Sequence, residues 1–444
     1  MTASAATQTG LVGQPARSGR RLELDIVGMV IVVGLVFLHS AAIFSGQEMV
    51  VNTSQGQAAT MVATLVVAFD VLWTMPVLML MAGMTIRYSL RRRTVGQFVR
   101  ERILRLFVPF LTGLLIIFPP QVYYYLKADP TYQDGFWQFL RRFWHVEFSL
   151  AAFPAFIRGA PPDRVLLNVS YLWFLIYLFV YTLLLLPLLL YLLRPVGHRL
   201  VERLASFFTR RGAILLLAIP IAVVEAILTT EFPGGWNRFV WLFPILYGFV
   251  FAGDERFDET LVRHRKLALV LGIVSFLLYF VGMGALAQVA QVNPFTDRGV
   301  GGMVVRAIKG WAAWCWVVAV MGMATRWGQR QRQTADSQPS GSAAMRQPSL
   351  ADRILAYGRE ARLPFYVLHE LPVILIGFYV VRWSAHPLVK YLVISFSALA
   401  ATLLLYDIGV RRTLVTRVLF GMRPERRTAS APRPTEEPSQ PTLA

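Results

Sequence analysis

The sequence predicts an all-α, polytopic membrane bundle of about ten helices. Three observations predict it: a composition rich in apolar and poor in charged residues, about ten apolar stretches long enough to cross a bilayer, and basic residues gathered in alternate loops. Of the 444 residues 56% are hydrophobic and 16% charged. Soluble domains hold about 45–50% apolar and roughly 25% charged residues, so a soluble enzyme is disfavoured from the outset. Lys and Arg number 44 against 25 Asp and Glu, a formal charge of +19. In a soluble chain this excess would point to a nucleic-acid partner; here its position in the chain explains it better. The single cysteine, Cys315, excludes an internal disulfide and any thiolate metal site.

A hydrocarbon core of about 30 Å takes roughly 20 residues of helix. Stretches of that kind run from Leu24 to Phe44, Ala58 to Ile86, Leu104 to Leu126, Tyr171 to Leu193, Ala213 to Thr230, Asn237 to Gly253, Leu267 to Ala290, Gly301 to Trp327, Leu363 to Trp383 and Pro387 to Val410. Arg17, Arg20 and Arg21 precede the first in the manner of a signal peptide, but the apolar run is too long and no small-residue cleavage site follows, so it reads as an uncleaved helix.

Lys and Arg in short loops set orientation. The loop after the second span carries Arg87, Arg91, Arg92, Arg93, Arg100 and Arg102; the one after the fourth carries Arg194, Arg199, Arg203, Arg210 and Arg211; the one after the sixth carries Arg256, Arg263, Arg265 and Lys266. The segment from Ser45 to Gln57 has neither Lys nor Arg, and Glu231 to Trp236 and Gln291 to Val300 have almost none. The alternation predicts an even number of spans with both termini in the cytoplasm, and it removes the case for nucleic acid.

Residues 24–410 form the predicted membrane domain, flanked by a disordered cytoplasmic N-terminus (1–23) and a basic, disordered cytoplasmic tail (411–444). Three segments are not read as helices. Lys127 to Ser170, with Phe136, Trp137, Phe143 and Trp144, is expected to fold as an external lid. Gln329 to Leu350 and Thr428 to Ala444, rich in Gln, Ser, Pro and Thr, are expected to be disordered in the cytoplasm. No fixed-period repeat is present.

Ionisable groups within spans are costly unless paired, which makes each a functional candidate. His39 lies about 15 residues into the first span, roughly 20 Å from its cytoplasmic end, where an imidazole can take a proton from a hydroxyl; its structural alternative is an interhelical hydrogen bond. Asp70 and Glu225 are each candidates to orient or charge-pair His39, as acids do in many hydrolytic sites, or else protonated acids bonded for packing. His369 and Glu370, in the first turns of the ninth span, read as packing or interfacial groups. Arg102 and Arg105, three apart on one helix face, can fork onto phosphate oxygens or serve topology and anionic lipid. No G-x-S-x-G or H-E-x-x-H motif supports an ordinary serine or zinc hydrolase.

The ordered series Leu24-Asp25, Phe37-Leu38-His39-Ser40, Met75-Pro76 to Ala82-Gly83, Arg102-Ile-Leu-Arg105-Leu-Phe-Val-Pro109-Phe, Phe118-Pro119-Pro120-Gln121-Val122-Tyr123, Tyr171-Leu-Trp173-Phe174-Leu175 and Leu363-Pro364-Phe365-Tyr366-Val-Leu-His369 resembles the membrane acyltransferase-3 family, in particular its glucan biosynthesis protein C type branch. The resemblance covers nearly all the membrane part. It implies an inner-membrane enzyme that takes an acyl group from cytoplasmic acyl-CoA, a co-substrate rather than a resident cofactor, and delivers it to a glycan or glycolipid hydroxyl outside. By the same resemblance His39 is the catalytic residue; Asp70 and Glu225 stand beside it as candidate helpers on the strength of their place inside spans. Arg102 and Arg105 serve acyl-CoA, and Trp173 and His369 are candidate substrate-binding residues. Membrane lipids are the other expected partners, and no metal is called for. One departure stands out: the family commonly has an Arg eleven residues before the His, and this chain has Gly28. A transporter or flippase is the rival from another class, because buried ionisable residues also mark substrate paths. A catalytically impaired relative is the third reading.

Overall fold

Lipid offers the backbone no hydrogen-bond partner, so each apolar stretch satisfies its own N–H and C=O groups as a helix. The computed structural model describes residues 21–46, 56–159, 170–229, 235–336 and 349–423 and has helix at each of the predicted positions. In chain order these are α1 (Leu22–Ala42), α2 (Gln57–Leu90) and α3 (Val95–Lys127), the last interrupted by π turns at Ile103–Phe107 and Gly113–Ile117. A short helix α4 (Phe136–Phe143) and strands β1 (Val146–Phe148) and β2 (Ile157–Gly159) follow. Then come α5 (Trp173–Leu193), α6 (Pro195–Phe208), α7 (Ala218–Ile227), α8 (Leu242–Phe251), α9 (Arg256–Val289) and α10 (Val300–Asp336). The chain closes with α11 (Leu350–Leu368), α12 (Glu370–Val380), α13 (Pro387–Val410) and α14 (Leu414–Leu419).

Seven of these helices are long and apolar enough to cross a membrane, or nine if two bent pairs each count as one span. The expected ten is thereby reduced. The sixth predicted span is a shorter apolar helix, Arg238–Phe251, and the fifth joins α6 across a bend of 118°. A hydropathy scan counts apolar residues without sensing where a helix breaks. Rows of exposed apolar side chains, such as Val270, Val274, Leu277, Leu278 and Val281 on α9, face outward in mid-helix, which is the surface a lipid solvent wets.

Several segments expected to be irregular are built. Residues 329–336 continue α10, held by Arg332 Nη1 on the buried Glu23 carboxylate at 3.1 Å, so the helical part of the chain begins earlier, at Leu22, and α10 ends later than expected. Leu350 opens α11 behind a Ser349 capping box with Asp352; residues 337–348 lie outside those described. The segment after Lys127 contains α4, which turns Phe139 and Phe143 inward onto Tyr123 and Phe118, and an antiparallel pairing of β1 with β2. It is folded, as expected, but partly helical. In the tail, 411–423 includes α14 and packs back on the bundle, and the Thr428 to Ala444 segment lies outside the described residues.

Candidate active site

After the acidic first turn with Glu23 and Asp25, α1 is apolar until its end, where His39 is followed by Ser40, whose hydroxyl donates to the Val36 carbonyl at 2.7 Å. The ring of His39 meets α11 and α12 at the point where they part. That break is bent by 53°, and Pro372 is its local cause: lacking an N–H, it leaves the Leu368 carbonyl without its helical donor and crowds it. The bend brings two consecutive residues to α1. His39 Nδ1 lies 3.7 Å from Glu370 Oε1, and the His39 and His369 rings are 5.1 Å apart between centroids.

A shell of hydrogen bonds fixes this cluster. His369 Nδ1 is 2.7 Å from the Tyr366 carbonyl; a carbonyl only accepts, so Nδ1 carries the proton and Nε2 bears the lone pair. The Tyr171 hydroxyl donates to the Val367 carbonyl at 2.6 Å, and the Tyr366 hydroxyl donates to the Tyr171 carbonyl. Gln121 of α3 reaches the Tyr171 hydroxyl at 3.5 Å, and the Tyr171 ring stands edge-on to His369 at 5.4 Å. His369 Nε2, Glu370 Oε2 and Gln121 Oε1 are buried with no hydrogen-bond partner. Unpaired buried polar atoms are expensive, and three on neighbouring elements around one histidine make a site suited to a polar ligand.

The expected helpers of His39 have other hydrogen-bond or ion-pair partners. Asp70 accepts from Thr74 of its own helix at 3.2 Å. Glu225 is fully buried between α7 and α10, its Oε2 at 2.5 Å from Lys309 Nζ and its Oε1 accepting from the Asn237 amide at 2.8 Å; Lys309 in turn lies over the Trp236 ring at 4.3 Å. The carboxylate paired with His39 is that of Glu370 instead, and His369 and Glu370 are buried inside the bundle rather than solvated at an interface. Trp173, two residues on from Tyr171, packs on Trp241 and Tyr177, with ring centroids 4.9 and 5.2 Å away. The signal that could have found Glu370 was its place beside His369 in an apolar run; Gln121 and Tyr171 stood within quoted motifs without a role.

At the arginine-rich end, Arg102 immediately precedes the first π turn of α3 and Arg105 lies within it. A π turn takes more residues than an α turn, so their shared face is twisted apart. Arg102 lies over the Phe98 ring at 4.8 Å with Nε buried and unpartnered, whereas Arg105 Nη1 faces Glu101 at 3.6 Å. Arg93 and Arg423 share that carboxylate. At another place on the surface, an open cleft of about 600 Å³ is lined by Leu150, Phe153, Ile227, Asn237, Arg238 and Arg298 among others, and it shares no residue with the His39 cluster.

A helix bundle with outward apolar faces around a His39–Glu370 pair, with guanidinium groups clustered at one end, defines an integral membrane protein with a polar site inside the bundle. The acyltransferase-3 family model, described as an acyltransferase domain, matches residues 21–407, and the chain belongs to this family of membrane acyltransferases. No curated protein and no solved structure matches it significantly.

Proposed function

We propose that the protein transfers an acyl group, other than an aminoacyl group, from cytoplasmic acyl-CoA to a hydroxyl of an extracytoplasmic glycan or glycolipid, across a bacterial inner membrane with both termini in the cytoplasm. The observation that carries this reading is the His39–Glu370 pair inside the bundle, with unpartnered polar atoms beside it, in a chain of acyltransferase ancestry. His39 takes the proton of the acceptor hydroxyl as its oxygen attacks the thioester carbonyl; the C–S bond then breaks, and the proton passes from His39 to the departing thiolate. Glu370 steadies the imidazolium in between. An acyl-His intermediate is the alternative route to the same products. Arg102 and Arg105 hold coenzyme A phosphates, and Gly28 to His39 is eleven residues of α1, roughly 16 Å of rise, along which the pantetheine arm lies.

Purified full-length protein given labelled acyl-CoA and a glycan acceptor tests the reading directly. Labelled ester is the expected result, and transport of intact glycan without ester formation overturns it. For the donor, replacing Arg102 or Arg105 with Lys keeps the charge but removes the planar fork. Loss of one charge-assisted hydrogen bond, roughly 1.5–3 kcal/mol, predicts acyl-CoA binding weaker by about tenfold or more. Equal affinity in both Lys variants returns the pair to topology and anionic lipid.

The orientation has its own check. Reporter fusions at Ala444 and within 337–348 are expected to read cytoplasmic, and fusions between Lys127 and Ser170 external, as loop charge dictates. An external reading at Ala444 overturns it.

A further inference from the structure

We infer that Gln121 of α3 selects the acceptor: its amide oxygen takes a hydrogen bond from a second hydroxyl of the molecule being acylated, so the substrate is a polyol held by more than its reacting group. This rests on the reading of His39 as base toward an acceptor hydroxyl. Gln121 is 1% exposed, and its Oε1 is buried with no hydrogen-bond partner among the described residues.

Tyr171 decides which end of the amide is left over. A tyrosine hydroxyl has one proton to give, and that of Tyr171 goes to the Val367 carbonyl at 2.6 Å. The Gln121 atom 3.5 Å from the same hydroxyl must therefore be a donor, the NH2 group, and the carbonyl oxygen is the one left unused. The packing of α3 puts Gln121 beside the His39 cluster. A Cβ on Gly113 would stand 3.2 Å from Val367 Cγ1 of α11, and the Tyr124 ring meets Phe378 of α12 at 5.2 Å. Gln121 lies between these two contacts, along the stretch of α11 and α12 that carries His369 and Glu370. The Tyr171 ring, whose hydroxyl Gln121 reaches, stands 5.4 Å from His369 and 6.5 Å from His39 between centroids.

The unpartnered atoms define the chemistry they need. Gln121 Oε1 and His369 Nε2 are both acceptors, since His369 Nδ1 gives its proton to the Tyr366 carbonyl. A phosphate or carboxylate brings acceptors only and leaves both unpaired. A simple alcohol has one proton, already committed to His39. A molecule with several hydroxyls supplies one to each. A bound water also donates, and the experiment separates it from a substrate hydroxyl.

The test measures transfer by full-length protein in nanodiscs from labelled acyl-CoA to an oligosaccharide acceptor and to its monodeoxy analogues, each lacking one hydroxyl other than the one esterified. With the unaltered protein one analogue is expected to lose about 10- to 100-fold in kcat/KM, the cost of leaving a buried acceptor unpaired. Gln121→Met keeps the length and the packing but has no amide. It is expected to lose a similar factor with the full acceptor, to treat that acceptor and the analogue alike, and to bind coenzyme A as before. Gln121→Asn, which withdraws the amide by one methylene, is expected to fall between the two. The ratio of acceptors is taken within one protein, so a variant that is merely loosened slows both equally and keeps the ratio. Unchanged discrimination in Gln121→Met overturns the inference and leaves Gln121 as a support for Tyr171. An unaltered protein indifferent to every deoxygenation overturns it too, and assigns Gln121 Oε1 to a water. Should the unaltered protein esterify no acceptor, the acyl-transfer reading itself fails, an outcome distinct from ester formation without a Gln121 effect.

Discussion

His39→Gln is expected to abolish measurable acyl transfer while the protein still inserts, folds and binds donor. Gln has about the reach of His and keeps both a donor and an acceptor, so it satisfies whatever packing hydrogen bond the imidazole makes. It cannot take a proton near neutral pH. General-base catalysis contributes about 10²–10⁴-fold, so the loss should fall in that range, in kcat rather than in donor KM. The surroundings sharpen the contrast. Glu370 Oε1 lies 3.7 Å from the ring, too long for a fixed hydrogen bond but close enough to stabilise a positive charge that forms during turnover. Ser40 beside it is occupied with the Val36 carbonyl and offers no replacement base. The measurement is ester formation from labelled acyl-CoA, with coenzyme A binding and thermal unfolding as controls for donor site and fold. Near-normal transfer by a well-folded Gln variant makes His39 a packing residue and removes the base from the mechanism.

Much of this site could be read from sequence because one type of signal is strong: an ionisable residue inside an apolar run has few reasons to be there. That signal found His39, Asp70, Glu225 and His369 one by one. It could not pair them. Glu225 meets Lys309, 84 positions on, through the contact of α7 with α10, and nothing local in either run announces the match. Glu370 reaches His39 because the chain bends by 53° at His369, and a hydropathy scan treats α11 and α12 as one continuous span. The arginine pair was likewise visible as charge, but its geometry depends on a π turn, which changes residues per turn without changing composition. Gly28 is the opposite case. As sequence it is an absence, a missing arginine; in three dimensions it is the floor beneath Arg362.

The second large effect is on the bundle itself. α2 and α8 cross where Gly83 and Gly248 face each other's backbone: a Cβ on Gly83 would lie 2.0 Å from the Ile245 carbonyl oxygen, and one on Gly248 would lie 1.9 Å from that of Leu80. A side chain in the way can rotate, but a helical carbonyl cannot, so even alanine forces the helices apart. Lipid tails are as apolar as leucine, and close packing is therefore what holds such helices together. Overpacking usually costs about 1–3 kcal/mol, and more where backbone blocks the relief. Gly248→Ala is expected to lower the thermal midpoint by several degrees in detergent, and Gly248→Leu to leave little folded protein. Gly34→Ala is the control: it lies mid-helix in α1 with nothing within 4 Å of the added carbon, and alanine's better helix propensity makes it neutral or mildly stabilising. The double variant separates a true crossing from general intolerance of change. Once one alanine has pushed α2 from α8, the second meets a gap already opened, so Gly83→Ala with Gly248→Ala should cost clearly less than the two single losses added. Strict additivity, or an unaffected Gly248→Ala, would show that the two helices do not touch at these glycines.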